Sequence, residues 1–262
     1  VTDRFDMLRA LRGGYTETAG EGSCPTHGSY PIRIFHDGDR QVGAFPTGCM
    51  ACSQLAREEK DRRERKEAIL ARIVAAGVPP RFLESSFLSY EAAGPRAANH
   101  GDLKVFARAV ANGDGAVGGR ILLGTPGTGK THLAIAVLRA VIVAGHSGRY
   151  STVGDMVRHI RSTWSRSSGE SEADVIRLYA ECRLLVLDEV GVSQTASDNE
   201  VGLISDVIDQ RYRARRPTVL AANLTVPELA RCVGDRVLDR LMDNGGRVLL
   251  FDWSSYRKER AA

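Results

Sequence analysis

From Arg120 onward the chain alternates short apolar runs with amphipathic ones. Runs at Arg120–Leu123, Arg149–Val153, Leu184–Asp188, Thr218–Ala222 and Val248–Asp252 have strand length and predict five strands. Between them, Thr131–Ala144, Asp155–Trp164, Glu172–Glu181, Glu200–Arg215, Val226–Cys232 and Asp235–Met242 read as helices. Near-continuous apolar strands separated by helices predict an α/β fold, a mainly parallel sheet covered on both faces. Upstream, a helix is expected near Asp102–Ala111. Gln54 to about Ala76 reads as a charged helix, with Glu58/Arg62, Glu59/Arg63 and Asp61/Arg65 placing acids one turn before bases. Val78-Pro79-Pro80 stops it, because proline cannot continue a helix and biases its predecessor toward extended backbone. Residues 1–54 are rich in Gly, Pro, Thr and His with few periodic apolar positions, so something besides a core must hold them together. The organisation expected is a small module over residues 1–54, a linker helix over 55–76 and an α/β domain over 77–262.

The chemistry concentrates where the first predicted strand meets the first predicted helix of that domain. Gly124-Thr125-Pro126-Gly127-Thr128-Gly129-Lys130-Thr131 fits GxxxxGK[ST] and runs directly into His132. A Gly-rich loop in this position turns backbone N–H groups and a helix N-terminus onto a phosphate chain. Lys130 then reaches the β- and γ-phosphates, and the Thr131 hydroxyl ligates Mg²⁺. Leu184-Leu185-Val186-Leu187 leads into Asp188 and Glu189, and two carboxylates at an apolar strand's end call for a cation or donors nearby. Asp188 is expected to hold Mg²⁺ and Glu189 to polarise the attacking water. Asn223, at the end of the next strand, can orient that water or sense the γ-phosphate, although such a residue is also an ordinary turn former. Arg236 and Arg240 share one helix face. Either a solvated surface or a guanidinium lent in trans to a neighbouring protomer accounts for them.

Composition narrows the setting. Of 262 residues, 43% are hydrophobic and 26% charged, and no apolar run approaches the roughly 20 residues of a membrane span. Val1 to Arg12 does not read as a signal peptide, so a cytoplasmic protein is expected, and a first residue of Val points to a start further upstream. The net charge of +4 permits contact with nucleic acid without demanding it. Five cysteines in a cytosolic chain suggest metal binding rather than disulfides. Cys24-Pro-Thr-His27 and Cys49-Met-Ala-Cys52 form two short knuckles around a Gly-rich hairpin-like segment, and four such ligands suit a closed, tetrahedral structural zinc site. Zinc would also supply folding energy that the poor core lacks. Free thiols or a redox pair are the alternative reading, with His36 a substitute ligand at poorer spacing. Cys182 and Cys232 read as small core thiols.

The series GTPGTGKT, LLVLDE, AANL, GDRVLDRL and FDWSSYR, in this order, resembles the DnaC branch of AAA+ ATPases, with its IstB-type transposition relatives. The resemblance covers roughly Gly77 to Arg260. It implies an AAA+ P-loop core with a five-stranded sheet and a reduced lid, and a DnaB-type hexameric helicase and single-stranded DNA as partners. By the same resemblance Lys130 and Thr131 are Walker A, Asp188 and Glu189 Walker B, and Asn223 sensor 1. Arg240 matches the trans-acting arginine finger, implying ATP-dependent self-association, and Arg257 matches sensor 2. Asp155 to Cys182 holds the place of the helical insertion that faces DNA in loaders, with Arg158, Arg161 and Arg166 as candidate contacts or as solvated surface. The function expected is ATP-dependent loading of a replicative helicase. An IstB-type ATPase that assists a transposase on duplex DNA is the alternative. A non-hydrolysing nucleotide switch is disfavoured by Glu189, and a small-molecule kinase by the arginine series.

Overall fold

The computed structural model describes residues 15–46, 48–113, 117–165, 169–191 and 198–256. They divide into two compact units between Ala68 and Ile69.

The first unit contains an antiparallel sheet of β1 (Thr16–Cys24), β2 (Gly28–Asp37) and β3 (Arg40–Phe45). The sequence suggested no more than a hairpin-like segment here, because these strands carry little apolar alternation. The turns make the sheet possible: Asp37 pairs with Arg40 across the two-residue loop Gly38-Asp39, and Gly38 has φ 59. A positive φ at the first central residue is what a tight hairpin requires. Among the described residues of this unit, only Cys24, Phe35 and Cys49 are buried apolar side chains. Three strands hiding so little surface are marginal without a further cross-link. Helix α1 (Met50–Ala75) begins at Met50 rather than Gln54, which places Cys52 on its first turn. Ion pairs join Lys60 to Glu64 and Arg63 to Glu67, both four residues apart on its exposed surface.

The second unit is a parallel sheet of β4 (Arg120–Gly124), β5 (Gly148–Thr152), β6 (Leu184–Val190), β7 (Thr218–Ala222) and β8 (Arg247–Phe251), in the order β5-β6-β7-β4-β8. The expected parallel α/β sheet of five strands is what forms. Its helices are α2 (Arg96–Asn112), α3 (Lys130–Val143), α4 (Val153–Ser162), α5 (Glu172–Ala180), α6 (Asp198–Arg213), α7 (Val226–Val233) and α8 (Asp235–Met242). Alternate residues of each strand feed opposite layers. Leu122, Val186, Val219 and Ala221 pack with Leu103, Phe106, Leu133 and Val137 of α2 and α3. Ile121, Leu123, Leu185, Leu187 and Leu220 pack with Met156, Ile160, Ile176 and Ile208 on the other side. Burial of strands on both faces explains why they read as apolar runs rather than as alternation.

Arg211 is fully buried, yet it donates to the carbonyls of Tyr179, Ala180, Cys182 and Pro217 and to the Thr218 hydroxyl. It satisfies the carbonyls at the end of α5, where a cation is favoured. Cys182, within reach of the same guanidinium, is a buried core thiol. No helix among the described residues is long and apolar enough to cross a membrane.

Candidate functional site: a phosphate loop and a cysteine–histidine cluster

In the first unit the topology gathers four ligand atoms. Cys24 ends β1, His27 sits in the turn before β2, Cys49 precedes α1 and Cys52 lies on its first turn. The His27 Nδ1 is 3.7 Å from Cys24 Sγ, 3.6 Å from Cys49 Sγ and 3.3 Å from Cys52 Sγ, and Cys24 and Cys52 are 3.5 Å apart. All four atoms fall within 4.8 Å of one another. Ligands bound to one tetrahedral zinc lie about 3.5–3.8 Å apart, given its usual Zn–S and Zn–N lengths, so the donor set and its spacing fit a zinc module. The backbone amides of Thr26 and His27 lower the Cys24 thiol to about 6, while Cys52 is pushed up to about 11, first by its hydrogen bond with Cys24. Thiols this close resist carrying charge together unless a cation neutralises them. His36 is not part of the cluster; its Nε2 lies 3.0 Å from Thr18 Oγ1.

In the second unit the phosphate loop spans the end of β4 and the start of α3. Gly129 has φ 94, and a Cβ there would come within 2.6 Å of the Tyr90 ring, so only glycine fits this turn. The loop is pinned from behind: Trp253 Nε1 donates to the Thr128 carbonyl at 2.9 Å and the Tyr256 N–H to the Gly127 carbonyl at 3.0 Å. Thr128 Oγ1 donates to the Thr125 carbonyl at 2.9 Å. Lys130 is buried, and its Nζ donates to the carbonyls of Gly124 and Thr125, both at 2.8 Å. Burial lowers this ammonium to about 8, partly offset by the nearby Asp188 carboxylate. His132 lies just past the loop, its Nε2 3.0 Å from the Ser86 carbonyl oxygen.

Asp188 at the end of β6 accepts from Thr131 Oγ1 at 2.7 Å and from the Tyr150 hydroxyl at 3.0 Å, both on Oδ2, while its Oδ1 accepts the Glu189 N–H at 2.9 Å. Glu189 is exposed and has φ 56, a sparsely populated conformation for a residue with a side chain. Such an outlier, next to paired polar groups, marks a place where surrounding structure holds the backbone for a purpose. A cleft of about 450 Å³ is lined by Pro126 to His132, Asp188, Glu189 and Asn223 together with Arg81, Phe82, Tyr90 and Tyr256. The sequence-predicted loop, acids and amide thus meet in one cavity, which the carboxyl ends of the parallel strands open toward. Sequence reasoning missed Tyr90 and Tyr150 as members of the site. Tyr90 lies in a stretch between the predicted elements, and Tyr150 carried no signal beyond lying on a predicted strand.

The arginines fall elsewhere. Arg240 pairs with Asp209 of its own chain, with its guanidinium 5.6 Å from the Tyr212 ring centre and its side chain only 14% exposed. Arg236 also reaches Asp209, at 3.1 Å, but its side chain is 67% exposed. Neither lines the cleft of its own chain. Arg158 pairs with Asp155 and Arg161 with Glu200 at 3.2 Å, so both of these described candidates are partnered rather than bare. Arg166 and Arg257 lie outside the described residues.

Comparison with known proteins places this geometry. The family model for IstB-like ATP binding proteins matches residues 53–262. The chain is 34% identical over 185 residues to the replicative helicase loader DnaC of Escherichia coli (strain K12), covering 70% of this chain and 73% of that protein. To the YdaV protein of the same strain it is 30% identical over 236 residues, 89% of each chain. The crystal structure of the DnaC helicase loader superposes with a TM-score of 0.57 at 23% identity, covering 66% of this chain and 99% of that one. AMPPCP-bound DnaA from Aquifex aeolicus gives a TM-score of 0.56 at 20% identity, over 70% of this chain and 55% of its own. Both superpositions show a shared fold.

Proposed function

Because this chain belongs to the IstB/DnaC family of AAA+ ATP-binding proteins, we propose that it is an ATPase that loads a DnaB-type hexameric replicative helicase onto single-stranded DNA. The observation that carries the reading is its 34% identity to a replicative helicase loader across 73% of that loader's length. The cytoplasm is the proposed setting.

The lining of the cleft supports the roles proposed for the residues within it. Backbone N–H groups of Gly127 to Thr131, with the N-terminus of α3, hold the triphosphate. Lys130 exchanges the Gly124 and Thr125 carbonyls for β- and γ-phosphate oxygens, and it is poised to do so because those contacts leave its ammonium at the centre of the loop. The Thr131 hydroxyl and Asp188 carboxylate are hard oxygen donors that fit Mg²⁺, which when bound would neutralise charge on the phosphates. Glu189 takes a proton from the attacking water, and Asn223 orients that water. Arg240 leaves Asp209 to reach the γ-phosphate of a neighbouring protomer, making activity depend on ATP-driven self-association. Arg257 is assigned the sensor 2 role on the resemblance of its motif alone. Cys24, His27, Cys49 and Cys52 hold structural zinc and shape the module that contacts the helicase.

Size-exclusion chromatography with mass determination of the protein mixed with its host's replicative helicase, with and without ATP and Mg²⁺, tests the reading. A nucleotide-sensitive complex is expected. No complex, together with co-elution with a transposase on duplex DNA, would replace it by the IstB-type reading, which the match to the IstB-like family model favours.

A further inference from the structure

We infer that Tyr150 is a positioning residue for the metal-binding carboxylate. Its hydroxyl, donated to Asp188 Oδ2 from the neighbouring strand, fixes that carboxylate for the cation; the inference rests on the proposed role of Asp188. Asp188 is 5% exposed, and its carboxylate has about four acceptor positions. Thr131 and Tyr150 donate to Oδ2 and the Glu189 amide to Oδ1, so three are filled by protein donors and one, on Oδ1, remains. With Thr131 alone on Oδ2, that oxygen would be held only by the hydroxyl proposed to face the cation. Tyr150 is the one donor among these three that belongs neither to the phosphate loop nor to the Asp188-Glu189 pair.

The phenol can do this because Tyr150 cannot wander. It lies on β5, an edge strand of the sheet, paired with Val186 of β6 on its inner side. On the outer side its N–H donates to the Ala76 carbonyl at 2.7 Å. Gly77 follows with φ 88, and a Cβ on it would stand 2.7 Å from the Tyr150 carbonyl oxygen. The chain therefore closes against this residue's backbone from both sides. The ring, 7% exposed, packs in the apolar layer with Leu138, Val141 and Val186. A group held by packed elements on every side is the kind of support that keeps a liganding side chain within the tolerance its chemistry needs. A buried hydroxyl seeking any acceptor would produce the same hydrogen bond. The two explanations differ in what removal of the oxygen does to the metal.

The experiment uses the full chain carrying Tyr150→Phe, which keeps the ring and deletes only the hydroxyl. Mn²⁺ is titrated into protein bound to a non-hydrolysable ATP analogue, and free Mn²⁺ is read by electron paramagnetic resonance. Metal affinity is expected to fall about tenfold, the loss of one hydrogen bond to a charged group. Nucleotide binding in EDTA stays at its wild-type value, and turnover lost at low Mg²⁺ is recovered at high Mg²⁺. Asp188→Asn is measured alongside. If it weakens Mn²⁺ binding while Tyr150→Phe leaves it unchanged, Tyr150 is structural only and the inference is overturned. If both variants bind Mn²⁺ like wild type, the assignment of Asp188 as the metal residue fails and the inference falls with it.

Discussion

The two units of this chain solve the same problem of holding chemistry-bearing side chains in place by opposite means. In the first, described residues bury three apolar side chains, and three thiols and an imidazole converge within 4.8 Å of one another. In the second, a five-stranded sheet is packed on both faces, and the site lies on its rim, where strand ends and a helix start converge. A unit with a core can spend strained residues such as Glu189 on function, because its layers over-determine the backbone. A unit without one must take its stability from the ligands themselves. The first should therefore be all-or-none toward metal and indifferent to nucleotide, and the second the reverse.

The largest effect expected is the separation of the two. Replacing Cys49 and Cys52 with Ser should release zinc and unfold the β1–β3 sheet, since structural zinc contributes on the order of 10 kcal/mol or more to small modules. ATP binding by the second unit should survive. Zinc analysis with amide exchange checks this, and retained metal would show that the ligands are others. Arg240→Ala comes next: turnover should drop by roughly 10³-fold or more, as when a trans-acting arginine is lost. In wild type, specific activity should rise with protein concentration; a flat response across dilution would remove the trans role. Lys130→Ala should weaken nucleotide interaction and turnover by about 10²–10³-fold while leaving one zinc per chain, the mirror image of the cysteine variant. Normal ATP affinity in that variant would sink the loop assignment. The smallest effect is Arg63→Ala on α1, where an exposed pair with Glu67 at 3.8 Å should change stability by less than about 0.5 kcal/mol. A larger loss on thermal unfolding would mean that this surface does more than stay solvated.

Much of the second unit was legible because its signals are local. Gly129, Lys130 and Thr131 act within one turn of chain, and Leu184 to Asp188 carries its strand and its acid in one stretch. The β1–β3 sheet was not legible, since Thr16 to Phe45 offers Gly-permitted turns and few apolar alternations. Its strands are specified by hairpin geometry and by the residues they bring to Cys24 and His27. The start of α1 was read late because Met50 to Ser53 looks like part of a knuckle, although the helix supplies the frame on which Cys52 stands.

The sequence by itself determined the strands of the second unit, the phosphate-loop motif with its paired acids, the four candidate metal ligands and the family resemblance, because each depends on residue type at short spacing. Tertiary structure alone decided three pairings. Tyr150 meets Asp188 because parallel neighbours β5 and β6 run in register. Tyr90 covers Gly129 from a segment far upstream. Arg240 rests on Asp209 because α6 and α8 pack together. Contacts of this kind are set by how layers stack, and no spacing along the chain encodes them.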